Sequence, residues 1–300
     1  MKKHAYLITA YNNFVILEKL LKALDDPRND IYLHIDKKSS HVDIDRLNST
    51  VSEATLHIIN RMNVTWGAYS MIQCELRLLE AAHQHRYGYY HMISGTDFPI
   101  KSQNYIHEYL DKHNGKEFVH FSGADYTQTV QNRFKLYHLL HEYCGKNRRN
   151  PLLQIEKILL LMQKIMGVDR TKKSGLIFCA GSTWYSISDS LVSYILSQRE
   201  LIKKIFSHSF VCDEIFLQTI VYNSPFKANV FMLESIKDDS KACLRLIDWK
   251  RGSPYEFRID DAQELIGAGS DYLFARKFSD NQSALVDIIS KSYSGKGSGK

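Results

Sequence analysis

Apolar positions in the first third of the chain switch between two periods. AYLITA (residues 5–10) is an apolar run of strand length, whereas Phe14 to Leu24 repeats apolar residues at 14, 17, 20, 21 and 24, a helical stripe. DDPRND breaks that helix, and IYLHID (31–36) predicts a second strand ending in Asp36. Such a βαβ opening leaves a loop at the C-terminal end of the first strand, where open α/β sheets gather ligands. The pattern continues with strands at 55–59, 89–94 and 117–121 and a helix from about Ser70 to Gln84. GTDFPIKS (95–102) reads as a loop with a helix after it. From Arg133 to about Met166 the period is helical, with a break at GKNRRNP (145–151). Residues 176–188 predict a strand, Leu191 to Lys204 a helix and 213–222 another. No repeat or low-complexity linker interrupts the body. The prediction is one α/β domain, with 122–175 as an excursion forming one wall of a cleft.

Composition narrows the class. At 44% hydrophobic and 12% aromatic with only five prolines, 300 residues can bury a large core, which excludes a disordered chain. A net charge of +6 suits an anionic ligand or a membrane surface. It is too small to argue for nucleic acid, which is not expected as a partner. Five cysteines (Cys74, Cys144, Cys179, Cys212, Cys243) lie far apart, with no CxxC and no Cys/His cluster. They predict reduced thiols and a cytoplasmic protein. The apolar run in MKKHAYLITAYNN is too short for a signal peptide, and no window approaches the ~20 apolar residues of a membrane-spanning helix. The greasiest stretch, Ile155 to Met166, is interrupted by Glu156, Lys157, Gln163 and Lys164 at helical spacing.

Several residues could carry chemistry, each with a plainer alternative. Asp36, ending a second βαβ strand, is placed to bond a ribose or base, but the first loop, TAYNN, has no GxGxxG and the residue could equally be a solvated strand end. Asp97 sits in a Gly-flanked turn, where bonding to its own backbone is the simpler role. In CDEIFLQ (212–218), Asp213 could cap a helix with Glu214 in its first turn, or a carboxylate there could act as general base. Trp184 and Trp249 are core residues or sugar platforms. Arg276 and Lys277, in DYLFARKF (271–278), are a solvated basic turn or an anion site. His83/His85 and His138/His141 lack the i, i+4 spacing of a helical zinc site. The one Asp-x-Asp, Asp43 and Asp45, looks like an exposed helix start rather than a metal pair.

Taken in order, HAYLITAYNN, LHIDKKS, VTWGAYSMIQCELRLLEAA, MISGTDFPIKS, AGSTWYSIS, CDEIFLQTI and DYLFARKF resemble the core-2/I-branching β-1,6-N-acetylglucosaminyltransferase and peptide O-xylosyltransferase family (glycosyltransferase family 14). The likeness covers most of residues 4–279, and MISGTDFPIKS and LFARKF are its specific parts. It implies a GT-A-type, Rossmann-like α/β fold, a single glycosyltransferase domain around a central mixed sheet. Residues 1–290 would form that domain, with 1–121 mainly nucleotide-binding, 122–290 mainly acceptor-binding and catalytic, and 291–300 a flexible tail. The family's base falls on Glu214, and its paired cations, which hold the donor's diphosphate, fall on Arg276 and Lys277. His34, Asp36, Ala10 and Tyr11 would line the uridine site, with Trp66 and Asp97 also on the donor side. Ser182, Trp184 and Trp249 would line the acceptor side. The family does without a metal, so neither a cofactor nor a divalent cation is expected. An Arg fork and an adjacent ammonium would stabilise departing UDP instead.

The sequence is expected to stand apart from animal Golgi members, without their anchor, stem and paired cysteines. The expectation is therefore a bacterial-type enzyme at the inner membrane face, transferring sugar from a UDP-sugar to a glycan or lipid-linked glycan during surface polysaccharide synthesis. Its rivals are a non-catalytic binder of anionic polysaccharide or nucleic acid, and a zinc hydrolase. Scattered lysines and arginines count against the first, and missing ligand spacing against the second.

Overall fold

The computed structural model describes residues 2–40, 42–147, 149–233 and 239–294. Four parallel strands, β1 (His4–Ala10), β2 (Asn29–Ile35), β3 (Thr55–Ile58) and β4 (Tyr89–Ser94), pair in the order β3-β2-β1-β4. The short β5 (Asp97–Pro99) leaves this sheet. β6 (Phe118–Val119) and β7 (Tyr185–Ser188) complete it antiparallel, β7 against β4 and β6 against β7. The fold is thus α/β with a central mixed sheet, as expected. β8 (Arg245–Ile247) and β9 (Phe274–Arg276) join β5 in a second sheet of order β5-β9-β8.

Both faces of the central sheet are covered, which is why β1 reads as a continuous apolar run. Tyr6 and Ile8 pack on one side with Ile16, Leu17 and Leu20 of the Phe14–Leu24 helix. Ala5 and Leu7 pack on the other with Ile72, Leu76 and Leu79 of the Tyr69–His83 helix. Asn13, in the left-handed region (φ 55°), starts the first of these helices without a side-chain cap. A carboxylate far along the chain supplies the missing acceptor: Asp280 takes the Ile16 N–H at 2.9 Å. Arg245 bolts the two sheets together. Fully buried, it donates to the Tyr185 carbonyl at 2.6 Å, Ser186 Oγ at 2.7 Å, the Met92 carbonyl at 3.2 Å and the Cys243 carbonyl. Burial pulls its pKa down to about 10.

Several sequence expectations need correction. Asp97–Pro99 is a strand rather than loop, because β9 supplies its partners from far along the chain. Of 176–188 only Tyr185–Ser188 joins a sheet. Before it the backbone is satisfied by side chains: Asn223 bonds both the N–H and C=O of Ile177, and Thr219 accepts from Cys179. The helix expected over 191–204 is two helices, Asp189–Ser197 and Arg199–Phe206, separated at Gln198. Asp213 does not cap a helix. Cys212–Glu214 form a separate 3-10 turn, and the next helix starts at Phe216. Asp43 does cap one, accepting from Arg46 N–H at 2.9 Å, so the Asp-x-Asp is an exposed helix start. The last helix, Ser283–Ser294, extends into the expected tail; residues 295–300, and Arg148 of the basic turn, lie outside the described residues. Among the described residues no helix is long and apolar enough to cross a membrane.

Candidate active site

One loop, Gly181 to Trp184, ties the acidic turn to the basic motif. Gly181 donates to the Glu214 carbonyl at 2.8 Å, Thr183 Oγ1 to Asp213 at 3.0 Å, and the Trp184 ring stacks against Arg276 at 4.1 Å. Gly181 has to be glycine, since a Cβ there would lie 1.9 Å from the His120 carbonyl oxygen. Ser182 knits the loop to its surroundings: its N–H donates to His120 at 3.0 Å, its carbonyl accepts from Gln218 at 2.7 Å, and its hydroxyl accepts from Trp184 N–H.

The acidic turn divides its two carboxylates. Glu214 keeps about a third of its side chain exposed and accepts from Arg133 at 2.8 Å. Asp213 is buried, with Oδ1 lacking any partner, and burial followed by the neighbouring Glu214 charge pushes its pKa up to about 7. Behind it lies Glu75, also buried with one unpartnered oxygen, its pKa raised by burial and then by Asp213. The accessible, ion-paired carboxylate is therefore Glu214. Arg133 was not singled out from sequence. It lies 81 residues from Glu214, and no local pattern links them; Phe210 and Val211 make the connection, donating to the carbonyls of Arg133 and Gly67.

The buried Asp213 gives a pH prediction. Its folded pKa near 7 exceeds the ordinary 3.8, so in that window the folded state holds a proton the unfolded state has released. Stability falls as pH rises through it, by up to about 1.4 kcal/mol per pH unit. Asp213→Asn removes this term, so its urea midpoint should gain on wild type between pH 5 and 7.5. A constant difference between the two proteins would show that Asp213 holds no such proton.

On the basic side, sheet register sets Asp97 opposite Arg276 and Ile247 beside it. Asp97 is completely buried. It accepts from Ser94 N–H at 2.7 Å, Ser94 Oγ at 3.0 Å and Arg276 Nη1 at 3.0 Å. Burial pushes the Asp97 carboxyl up and the Arg276 guanidinium down, each resisted by their mutual attraction. Arg276 Nε has no partner. Lys277 turns elsewhere and pairs with Glu256 at 3.0 Å. Glu256 lines a cavity of about 370 Å³ with Tyr255, Arg258, Ser279, Asn281 and Gln282. Trp249, more than half exposed, sits two residues after β8 in a turn organised by Asp248, which accepts from Lys250 and Arg251 N–H.

The residues expected around a uridine lie at the C-terminal ends of β1 and β2. Asp36 N–H donates to the Ala10 carbonyl at 2.8 Å, and the Tyr11 side chain is exposed beyond it. The Asp36 carboxylate is buried and accepts from Lys38 N–H at 2.8 Å and Val64 N–H at 3.3 Å, fastening 62–64 beside the strand end. His34 is buried and held neutral, its pKa lowered to about 4 by burial; Nε2 accepts from Met62 N–H, so Nδ1 carries the proton. Trp66 is half-exposed, its ring 3.9 Å from Lys146 Nζ. Among the described residues no group of three or more His, Cys, Asp or Glu is placed to hold a metal.

The loop Gly181–Trp184 thus contacts both the acidic turn and the mostly buried Arg276. The Core-2/I-Branching enzyme family model matches residues 4–265, and the chain belongs to that family, one of glycosyltransferases. It is 24% identical over 302 residues to Xylosyltransferase 2 of Rattus norvegicus, covering 91% of this chain and 32% of that protein. With Xylosyltransferase oxt of Drosophila melanogaster the identity is 23% over 293 residues, covering 91% and 31%. The chain thus spans about a third of the length of these relatives. Among solved structures, apo mouse xyloside xylosyltransferase 1 aligns with TM-score 0.38 and 12% identity, covering 91% of this chain and 97% of that one.

Proposed function

We propose that this protein is an inverting glycosyltransferase of GT-A type that moves a GlcNAc- or xylose-type sugar from a UDP-sugar to a glycan hydroxyl, without a divalent metal. The observation that carries it is the loop Gly181–Trp184, which contacts at one end the backbone of Glu214, whose carboxylate is about a third exposed, and at the other the mostly buried Arg276 with its unpartnered Nε. Residues 1–121 form the donor half and 122–290 the acceptor half.

Glu214 takes the proton of the acceptor hydroxyl as its oxygen bonds to the anomeric carbon. The bond from that carbon to the UDP oxygen breaks on the opposite face, and UDP leaves with the electron pair. Arg133, fixed by backbone contacts, holds the Glu214 carboxylate in place. Arg276 stays on Asp97 and offers its unpartnered Nε to the diphosphate. Lys277 exchanges Glu256 for phosphate. That pair is partly exposed and worth about 0–1 kcal/mol, so it yields easily. Ala10, Tyr11, His34, Asp36 and Trp66 frame the uridine, and Ser182, Trp184 and Trp249 the sugars.

The acceptor is a glycan or lipid-linked glycan of a bacterial surface polysaccharide, met at the inner membrane face. A panel of UDP-sugars, scored by protection against thermal unfolding in excess EDTA, tests the donor assignment. Protection by UDP-GlcNAc or UDP-xylose with chelator present is expected. Protection that requires Mn²⁺ would overturn the metal-free reading.

A further inference from the structure

The Leu152–Ile165 helix is amphipathic the wrong way round. Two of its polar residues face inward: Glu156, 2% exposed, accepts from Leu140 N–H at 2.9 Å, and Gln163 bonds both the N–H and C=O of Tyr137 at 2.7 and 2.9 Å. Its outward side carries Ile155, Ile158, Leu161, Met162 and Ile165, continued by Met166, with exposures from 48% at Ile155 to 78% at Ile165. At 100° per residue these six fall within one arc, the pattern by which a helix ordinarily meets a core. No described part of the chain covers them. Lys157 and Lys164, seven residues apart, share one edge of the stripe.

The surroundings are basic and aromatic. Lys146, Arg149, Lys172 and Lys173 are exposed on the flanking loops. From Lys146 to Lys173 every exposed charged side chain among the described residues is a cation; Glu156 is buried, and Asp169 is engaged with Thr171 and Lys135. Just before this stretch Tyr143 is 73% exposed, next to an exposed carboxylate, Glu142, and Lys146 leans on the half-exposed ring of Trp66. An aliphatic arc flanked by lysines and by aromatic rings with a polar edge matches the interface of an anionic bilayer, where tails accept the arc and headgroups the cations. A second copy of this chain fits less well, because a two-fold contact would set these lysines against their own equivalents.

We propose that the face built on the Leu152–Ile165 helix docks on an anionic lipid surface, with the helix lying in the interfacial plane. This gives the proposed membrane contact a location. The segment between β6 and β7 also carries Arg133 to Glu214, so docking brings the acidic turn toward the surface where a lipid-linked acceptor is held. That last consequence rests on the proposed function; the docking does not.

The test is co-sedimentation of the full chain with phosphatidylcholine vesicles, with and without phosphatidylglycerol, in the absence of any nucleotide sugar. The protein should bind the anionic vesicles, release them as salt rises, and bind neutral vesicles poorly. Ile158→Gln/Ile165→Gln should weaken binding about tenfold or more with an unchanged melting temperature, because both side chains are already in water. Lys157→Gln/Lys164→Gln should weaken it and flatten the salt dependence. Glu214→Gln should bind as wild type, so loss of transfer and loss of docking are separately visible. No binding to anionic vesicles, or unchanged binding in both double variants, would overturn the proposal. So would a wild-type dimer in sedimentation velocity that the isoleucine variant dissociates, since it would make this face a contact between copies.

Discussion

Glu214→Gln should lower turnover by about two orders of magnitude or more, the size of a general-base contribution, while leaving UDP binding within a few-fold. The amide keeps the shape and can still accept the Arg133 hydrogen bond, but it cannot take a proton. The ion pair it loses is partly exposed on both sides, with about a quarter of Arg133 and a third of Glu214 in solvent. Stability should therefore change by only about 0–1 kcal/mol. Steady-state kinetics beside a melting curve separate these effects. Turnover within a few-fold of wild type would leave Glu214 as an accessible carboxylate with no part in the chemistry.

Arg276→Ala should act twice. Asp97 is completely buried and Arg276 is its charged partner, so removing the guanidinium strands a carboxylate in the protein, at a cost of about 3–5 kcal/mol. The same change removes the unpartnered Nε assigned to the diphosphate, so donor KM should rise and kcat fall. The double variant Arg276→Ala/Asp97→Asn distinguishes the two roles. It carries no stranded charge, so it should recover much of the melting temperature, yet it should not recover UDP affinity. Recovery of both would make Arg276 a structural partner of Asp97 and nothing more.

The N-terminal half was legible because its elements are set by local periodicity. The stripe at residues 14, 17, 20, 21 and 24 gave the first helix, and its apolar neighbours gave β1, β2 and β4. Elements made by distant pairing were not. β5 is three residues long and contains a proline, and only the partner strand at 274–276 makes it a strand. The irregular run 176–184 looks like a strand by composition but is fastened by Asn223, Thr219 and Thr127, residues no period in that run could reveal. The Leu152–Ile165 helix was legible as a helix but not in its orientation, since apolar residues lie on both of its sides and the tertiary bonds of Glu156 and Gln163 decide which side faces out.

The candidate site divides along the same line. Resemblance pointed to Glu214, Arg276 and Lys277, and the structure adds who holds them: Arg133, Asp97 and Glu256. Each partner except Glu256 lies more than 80 residues from the residue it holds, beyond the reach of any local motif. The two adjacent cations also part company. Arg276 is mostly buried against Asp97 and Trp184, with 12% of its side chain exposed, whereas Lys277 is more exposed beside Glu256.

The most direct test of the central claim is the proton NMR spectrum of the glycoside formed from an α-linked UDP-sugar by the wild-type protein. Attack by an acceptor oxygen activated by Glu214, on the face opposite UDP, predicts a β-linked product with the large anomeric coupling of a diaxial pair. An α-linked product would contradict the account, because it requires two displacements or a front-face route that a single base at Glu214 does not provide.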